Sequence, residues 1–366
     1  MPQLLRILYY LPIFHRPKNY LKSVYFICIC AGLWLDLGCN SNKKIDNKQQ
    51  VSSTSTTRPM QVNIVTRQLF TALPSASGME LIGDKLYVIG DDSPYLYILN
   101  RENFTLEDKI KLFETDLFGT GRIPKAFKPD LECLTSVQVN GQPYLAAFSS
   151  GSAPTRTKCY LISLAPVDSD TPRVQEYSLK ELYTALQTEA AYLKNDLLNI
   201  EAAATHADHL YLFQRSVQTG HNVLFRFHLP DFLQHLTQVS SPIPASEKIL
   251  FTLPRLADLD SRFSGAITFD EKLFITASVE NTSNAILDGE VAGSFVGYTD
   301  LSAIKSGRQP IALHTALIRD AQGQTYKGKV ETLVVTGRTN ANTYQALAFT
   351  DNDNGESELL VLELTL

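Results

Sequence analysis

The chain has 366 residues, 44% of them hydrophobic and 19% charged, with 16 Tyr, 18 Phe and only five Cys. That length fits one large domain or two small ones, and the composition excludes a mainly disordered chain, a polytopic membrane protein and a disulfide scaffold. A formal charge of -5 offers no basic face for a nucleic-acid polymer.

In chain order, the first signal concerns compartment. Residues 1–22 carry Arg6, Arg16, Lys18 and Lys22 and no acid, and the run Ser23 to Leu35 is uncharged and mostly apolar. A basic segment ahead of about 7–15 apolar residues is the pattern of a secretory signal, too short to span a bilayer comfortably. The run ends Leu35-Asp36-Leu37-Gly38-Cys39, which resembles a bacterial lipobox whose Cys is acylated. Residues 1–38 are therefore expected to be a signal peptide of lipoprotein type, with a plain cleaved signal or an uncleaved anchor as the alternative. Residues 39–60, rich in Asn, Ser, Thr, Lys and Gln, read as a flexible tether. The expected product is an exported lipoprotein of a bacterium, outer-membrane or periplasm-facing, held to the bilayer through acylated Cys39. Loss of four bases and one acid (Asp36) with the signal leaves 29 bases against 37 acids, a net of -8. Cys133 and Cys159 remain in the body and read as buried thiols, because about 300 residues make a core without a bridge.

Residues 61–366 read as a single domain with an internal repeat. Five segments share a short strand, a tight turn and a stronger aromatic-rich strand: they start at Ser77, Glu132, Glu201, Ser264 and Glu331. Lys85, His209 and Lys272 each lie eight residues after the start of their segment, which sets the register. Third strands follow at 95–99, 159–164, 223–228, 295–299 and 359–364, and fourth strands at 107–112, 173–177, 248–253 and 310–316. Four short antiparallel strands per unit is the pattern of β-propeller blades. The last unit runs out at Leu366, so residues 61–71 are expected to supply its fourth strand and close the ring. The fold class is all-β, a propeller of five four-stranded blades, or six if an insertion hides a unit. One insertion is helical: Ser178 and Glu181 read as a capping box, with Leu179, Leu182, Tyr183, Leu186, Ala190 and Leu193 on one face.

The innermost strands of a propeller line its axis, so Ser77, Glu132, Glu201, Ser264 and Glu331 are expected to converge there. Three carboxylates facing one axis need a counter-charge. A Ca²⁺-type cation, which accepts 6–8 oxygen ligands, supplies it; the absence of His and Cys from the set disfavours zinc and copper. The alternative is that these residues cap strands or bond the backbone of neighbouring blades. His206 and His209 flank a turn and read as surface residues. No P-loop and no Gly-x-Ser-x-Gly elbow occurs.

The order Ser, Glu, Glu, Ser, Glu on successive inner strands resembles that of the calcium-activated nucleotidases (apyrases), five-bladed propellers with one central Ca²⁺. Gly78-Met79-Glu80-Leu81, Lys85-Leu86-Tyr87 and Asp91-Asp92 are similar to their first motif; Phe127-Lys128, Glu201-Ala202-Ala203, Phe213, Arg215, Phe263, Ser278 and Glu280 are similar to later ones. Similar strand-initial glutamates also occur in bacterial propeller lipoproteins, including a phytase-like esterase group. The resemblance implies a calcium-dependent phosphohydrolase, with Asp91 or Asp92 orienting water and Arg215 meeting developing charge; Arg156, Lys158 and Arg338 are further basic candidates. The chain departs from that pattern in its short stretch before Ser77 and in Ser93-Pro94 after Asp92, where the family has an Arg. The other reading is non-catalytic: a cation ties the blades and the face binds a small-molecule or protein ligand. If Cys39 is the anchor, labelled palmitate enters the wild-type protein and is lost from Cys39→Ser, and label persisting in that variant refutes the assignment.

Overall fold

A computed structural model describes residues 59–366 apart from 120, 166–172, 219, 239, 283–288, 308 and 353. The expected signal peptide, Cys39 and nearly all of the expected tether lie outside the described residues. β1 (Gln61–Phe70) opens the domain. Blade 1 follows with β2 (Ala76–Ile82), β3 (Lys85–Gly90), β4 (Tyr95–Asn100) and β5 (Leu106–Lys111). Blade 2 is β6 (Leu131–Val139), β7 (Gln142–Ser149), β8 (Lys158–Ser163) and β9 (Val174–Ser178). Helices α1 (Lys180–Gln187) and α2 (Ala190–Leu193) lead to blade 3, made of β10 (Ile200–His206), β11 (His209–Gln214), β12 (Val223–His228), the helix α3 (Leu229–Thr237) and β13 (Ser246–Thr252). After the small hairpin of β14 (Arg255–Leu256) and β15 (Leu259–Asp260), blade 4 comprises β16 (Arg262–Phe269), β17 (Lys272–Asn281), β18 (Glu290–Asp300) and, past β19 (Ile311–Ala312), β20 (His314–Arg319). Blade 5 is β21 (Lys329–Asn340), β22 (Thr343–Asp351) and β23 (Ser357–Thr365).

The expected closure is present. β1 pairs antiparallel with β23 from Gln61↔Thr365 to Phe70↔Ser357, and parallel with β20 at Val62↔Ile318, joining blades 4 and 5 into one sheet. The first strands pack in a cycle, β2 on β6, β6 on β10, β10 on β16, β16 on β21 and β21 on β2. The described strands thus form a β-propeller, and no sixth four-stranded unit occurs among them.

Period-2 alternation explains how this ring holds together. Each blade turns one face to each neighbour, and the buried apolar residues divide into five seams, one per blade boundary. On β10, Ala203 joins the seam with blade 2, whereas Ala202 and Ala204 join the seam with blade 4. There Phe213 and Phe263 meet edge to face at 5.1 Å. Cys133 and Cys159 are free, buried thiols in the blade 2–3 seam, as expected.

Three local expectations are corrected. The fourth strand of blade 4 lies at His314–Arg319, because Ile311 and Leu313 are drawn to the blade 3–4 seam and β19 pairs with β13 instead. No capping box forms at α1: Leu179 is the cap residue, without a side-chain cap bond, and Ser178 Oγ accepts from Lys180 N at 3.2 Å. Of the expected apolar face, Leu179, Leu182, Tyr183, Leu186 and Leu193 bury in the blade 2–3 seam, but the helix breaks after Gln187 and Ala190, at the start of α2, is exposed. α3 is an unanticipated helix that starts at Leu229 with Pro230, a residue suited to a first turn, directly after it, and inserts Phe232 into the same seam.

Closure through β1 gives a direct test. Ile64 is buried opposite Leu362, whereas the neighbouring Val65 points outward and is 60% exposed. Ile64→Ala should cost about 2–5 kcal/mol and lower Tm by roughly 5–15 °C, while Val65→Ala stays within about 0.5 kcal/mol; equal effects in thermal denaturation would refute the placement of β1.

Candidate functional site

The five aligned residues share a backbone defect. Pairing between the first and second strands slips between Ala76 and Gly78, Leu131 and Cys133, Ile200 and Ala202, Phe263 and Gly265, and Val330 and Thr332. The unpaired residue is in each case the aligned one: Ser77, Glu132, Glu201, Ser264 or Glu331. A β-bulge re-aims a side chain that regular pleating would send into a seam. The residue before each bulge (Ala76, Leu131, Ile200, Phe263, Val330) is apolar and buried. The residue two before (Ser75, Asp130, Asn199, Arg262, Lys329) is polar again and lines the axial pocket.

That pocket has a volume of about 80 Å³ and is walled almost entirely by polar groups. Glu132, Glu201 and Glu331 enter it. Among the described residues the wall carries eight carboxylates (Asp91, Asp92, Asp130, Glu132, Glu201, Glu280, Glu331, Asp351) and seven bases (Arg122, Lys125, Lys128, Arg156, Arg215, Arg262, Lys329). The protein therefore supplies most of the axial counter-charge itself.

The two serines behave differently from the glutamates. Ser77 Oγ donates to Leu131 O at 2.5 Å, and Ser264 Oγ donates to Val330 O at 2.6 Å, each reaching the first strand of the next blade. The glycine that follows permits this approach. A Cβ on Gly78 would lie 2.7 Å from Leu134 N, and one on Gly265 would lie 2.9 Å from Glu331 O. Ser77 still touches the pocket; Ser264 is not part of its wall.

Charge divides into two clusters. In the first, Lys128 Nζ sits among Asp91, which it bonds, Asp92 Oδ1 at 3.2 Å and Asp130 Oδ1 at 3.5 Å. Arg122 Nε donates to Asp92 Oδ2 at 2.7 Å, so a distant arginine pairs with the Asp-Asp motif. Arg156 Nη1 donates to Asp130 Oδ2 at 2.7 Å and to Ser152 Oγ at 2.8 Å. Oxygens of Asp91, Asp130 and Glu132 lie within 4.8 Å of one another. Glu132 forms no hydrogen bond or ion pair among the described residues, and Asp91 Oδ1 is buried without a hydrogen-bond partner. Burial pushes Asp91 and Glu132 well above the usual carboxylate range, neighbouring carboxylates adding to the effect.

The second cluster centres on Arg215, whose Nη1 lies 3.1 Å from Glu201 Oε2 and 3.9 Å from Glu331 Oε1, while Nη2 donates to Glu280 Oε1 at 2.6 Å. Lys329 Nζ is 3.0 Å from Glu331 Oε1 and 3.8 Å from Glu280 Oε1. Glu201 also accepts from Asn199 Nδ2 at 2.6 Å. The outcomes for two acids differ. Burial drives Glu331 up to about 8 despite Lys329 and Arg215, and neither of its oxygens has hydrogen-bond geometry to a donor. Burial also opposes ionisation of Glu280, but Arg215 and Lys329 together hold it at about 2.

Of the residues singled out as catalytic, Asp91, Asp92 and Arg215 all line the pocket, Asp92 and Arg215 being fully engaged in ion pairs. Arg156 is there too. Lys158 is outside the pocket wall, paired with Glu176 at 2.8 Å, and Arg338 pairs at the surface with Asp270 at 3.0 Å. His206 and His209 face one another across the β10–β11 turn, away from the pocket. The sequence reading missed Asp130, Asn199, Arg262 and Lys329. Their signal was available as a second polar column two residues before the first.

A model of a family of unknown function, DUF6929, matches residues 72–364. The chain belongs to this family. No curated protein matches it. Among solved structures it is similar to Myxococcus xanthus glutaminyl cyclase (TM-score 0.44, 10% identity, covering 84% of this chain and 99% of that one). It is also similar to Cellvibrio cellulosa α-L-arabinanase (0.43, 15%, 79% and 91%) and to the PQQ-bound aldose sugar dehydrogenase of Streptomyces coelicolor (0.36, 11%, 84% and 100%).

The opposite shifts of two acids sharing the same bases yield a paired prediction. The depressed Glu280 contributes stability present above its unfolded value and lost as pH falls toward about 2. The raised Glu331 does the reverse: stability falls as pH rises from its unfolded value near 4.5 toward about 8. At pH 7 Glu280→Gln should destabilise by about 3 kcal/mol, whereas Glu331→Gln is neutral or stabilising. Denaturant melts at pH 5, 7 and 8 check the order, and a destabilised Glu331→Gln would contradict it.

Proposed function

We propose that this protein is an exported, lipid-anchored β-propeller whose axial pocket binds a small charged ligand together with a Ca²⁺-type cation. The single observation carrying the reading is that Asp91 Oδ1, beside Asp130 and Glu132 in the pocket wall, is buried without a hydrogen-bond partner, although bases surround it. Buried, unpaired carboxylate oxygens are costly unless something in the functional state meets them.

The five bulge residues as a set fit one Ca²⁺ poorly. Arg215 Nη1 already lies between Glu201 and Glu331, and the two serine hydroxyls bond the next blade's carbonyls. Asp91, Asp130 and Glu132 fit better: three hard oxygen donors within 4.8 Å, of the type Ca²⁺ takes. Lys128 among them then acts as a built-in competitor for the same carboxylates. Bound there, the cation would neutralise carboxylates that burial keeps from ionising and offer a Lewis-acidic contact to a ligand oxygen. Acylation at Cys39, with 39–60 as tether, would hold this pocket near a bacterial membrane surface.

A hydrolytic alternative has one observation in its favour. Asp91 keeps one oxygen without a hydrogen-bond partner beside the candidate cation position, where it would orient water against a phosphate ester or anhydride. Arg215 serves that reading less well, since three carboxylates already claim it.

Calorimetric titration of chelator-treated protein should show saturable Ca²⁺ binding, weakened about tenfold or more by Glu132→Gln or Asp130→Asn. A Ca²⁺ excess of 100 Kd should stabilise the fold by about 2.7 kcal/mol. No binding, or binding indifferent to both variants, would remove the cation from the proposal. Ca²⁺-dependent phosphate release from a panel of nucleotides and phosphomonoesters would favour the hydrolase.

A further inference from the structure

Blade 4 breaks the local charge pattern of its neighbour. In blade 5 the polar residue two before the bulge is Lys329, and the bulge residue Glu331 answers it at 3.0 Å. In blade 4 the corresponding residue is Arg262, but its bulge residue is Ser264, whose hydroxyl is turned to Val330 O. Arg262 therefore lacks a carboxylate on its own strand. Among the described residues it forms no ion pair; Glu280, Asp260 and Asp196 act on it only from beyond that distance, and Arg215 repels it.

Its guanidinium is nevertheless held in place. Nη2 donates to Val217 O at 2.9 Å and to Thr282 O at 3.0 Å, one carbonyl following β11 and one following β17. Nη1 is buried and has no hydrogen-bond partner, and Arg262, Val217 and Thr282 all belong to the pocket wall. A fixed guanidinium with an unused N–H group is a preorganised oxyanion contact, because guanidinium–oxyanion hydrogen bonds are charge-assisted and directional. Burial and the charge of Arg215 both disfavour this cation, so an arriving anion relieves a cost already present.

We propose that Arg262 forms an anion subsite of the axial pocket, taking an oxyanion group, carboxylate or phosphate, of the ligand on Nη1. With the unpaired Asp91 Oδ1 elsewhere in the same wall, the pocket then matches a ligand assembly carrying both signs of charge. The proposal rests on the reading of this pocket as a ligand site, but not on the cation.

The test is calorimetry on the full-length protein with sodium phosphate and with sodium acetate, at constant ionic strength, in chelator and again in Ca²⁺. One saturable equivalent of at least one anion is expected in chelator, and the anion preferred tells phosphate from carboxylate. Arg262→Gln should weaken it about 30-fold or more, Arg262→Lys less, and the surface variant Arg338→Gln not at all. Circular dichroism confirms folding, and if Arg262→Gln does not fold, Arg262→Lys against wild type carries the comparison. Neither anion binding, or binding unchanged in both Arg262 variants, overturns the subsite. Asp130→Asn separates the two readings: loss of Ca²⁺ binding with anion binding intact in chelator leaves each site standing on its own residues.

Discussion

The axis of this propeller is governed by the need to neutralise charge that the fold forces together. Five first strands meet where the ring is narrowest, and a bulge at the same position in each re-aims a polar side chain, sending three glutamates into the axial pocket. Carboxylates gathered this way cannot all ionise in a poorly solvated channel unless opposite charge accompanies them. The chain meets that requirement with its own Arg215, Lys329 and Lys128. The result is two ion-pair clusters in which Glu280 is held ionised while Glu331 is pushed toward its protonated form.

The same bulge performs a second task in two of the blades. Where its residue is Ser followed by Gly, the hydroxyl reaches the carbonyl of the next first strand and the missing Cβ allows the backbones to approach. Farther along the first strands, threonines take over this bridging: Thr205 Oγ1 donates to Ser136 O at 2.8 Å, and Thr268 Oγ1 donates to Thr205 O at 2.6 Å. Apolar seams outside the axis then hold each blade to its neighbours, and β1 completes the circle. Burial of hydrocarbon in those seams is what allows a densely charged centre to exist, since ion pairs of this kind are weak sources of stability by themselves.

Function, on this view, is concentrated where neutralisation is incomplete. Asp91, Glu331 and Arg262 each carry buried polar atoms whose hydrogen-bonding capacity the fold leaves unused, and they lie in one small pocket rather than on scattered surfaces. Asp92 and Arg215, attractive from their motifs alone, turn out to be occupied in holding the site together.

The repeat, its register and the closing strand were legible in the sequence, because alternation and turn chemistry are local and recur five times. So was the convergence of Glu132, Glu201 and Glu331, since aligned positions in a ring must face its centre. Burial of Cys133 and Cys159 as free thiols followed from chain size. Which partner each polar residue finds was not legible, because Lys128, Arg122 and Arg156 reach the axis from loops whose paths no periodicity encodes. Nor was the division of the five aligned residues into axial glutamates and inter-blade serines, which depends on how closely adjacent backbones approach. The sequence thus determined where charge would gather. Only the tertiary structure decided how far that charge is balanced, because balance depends on distances between residues as far apart in the chain as Arg215 and Glu331.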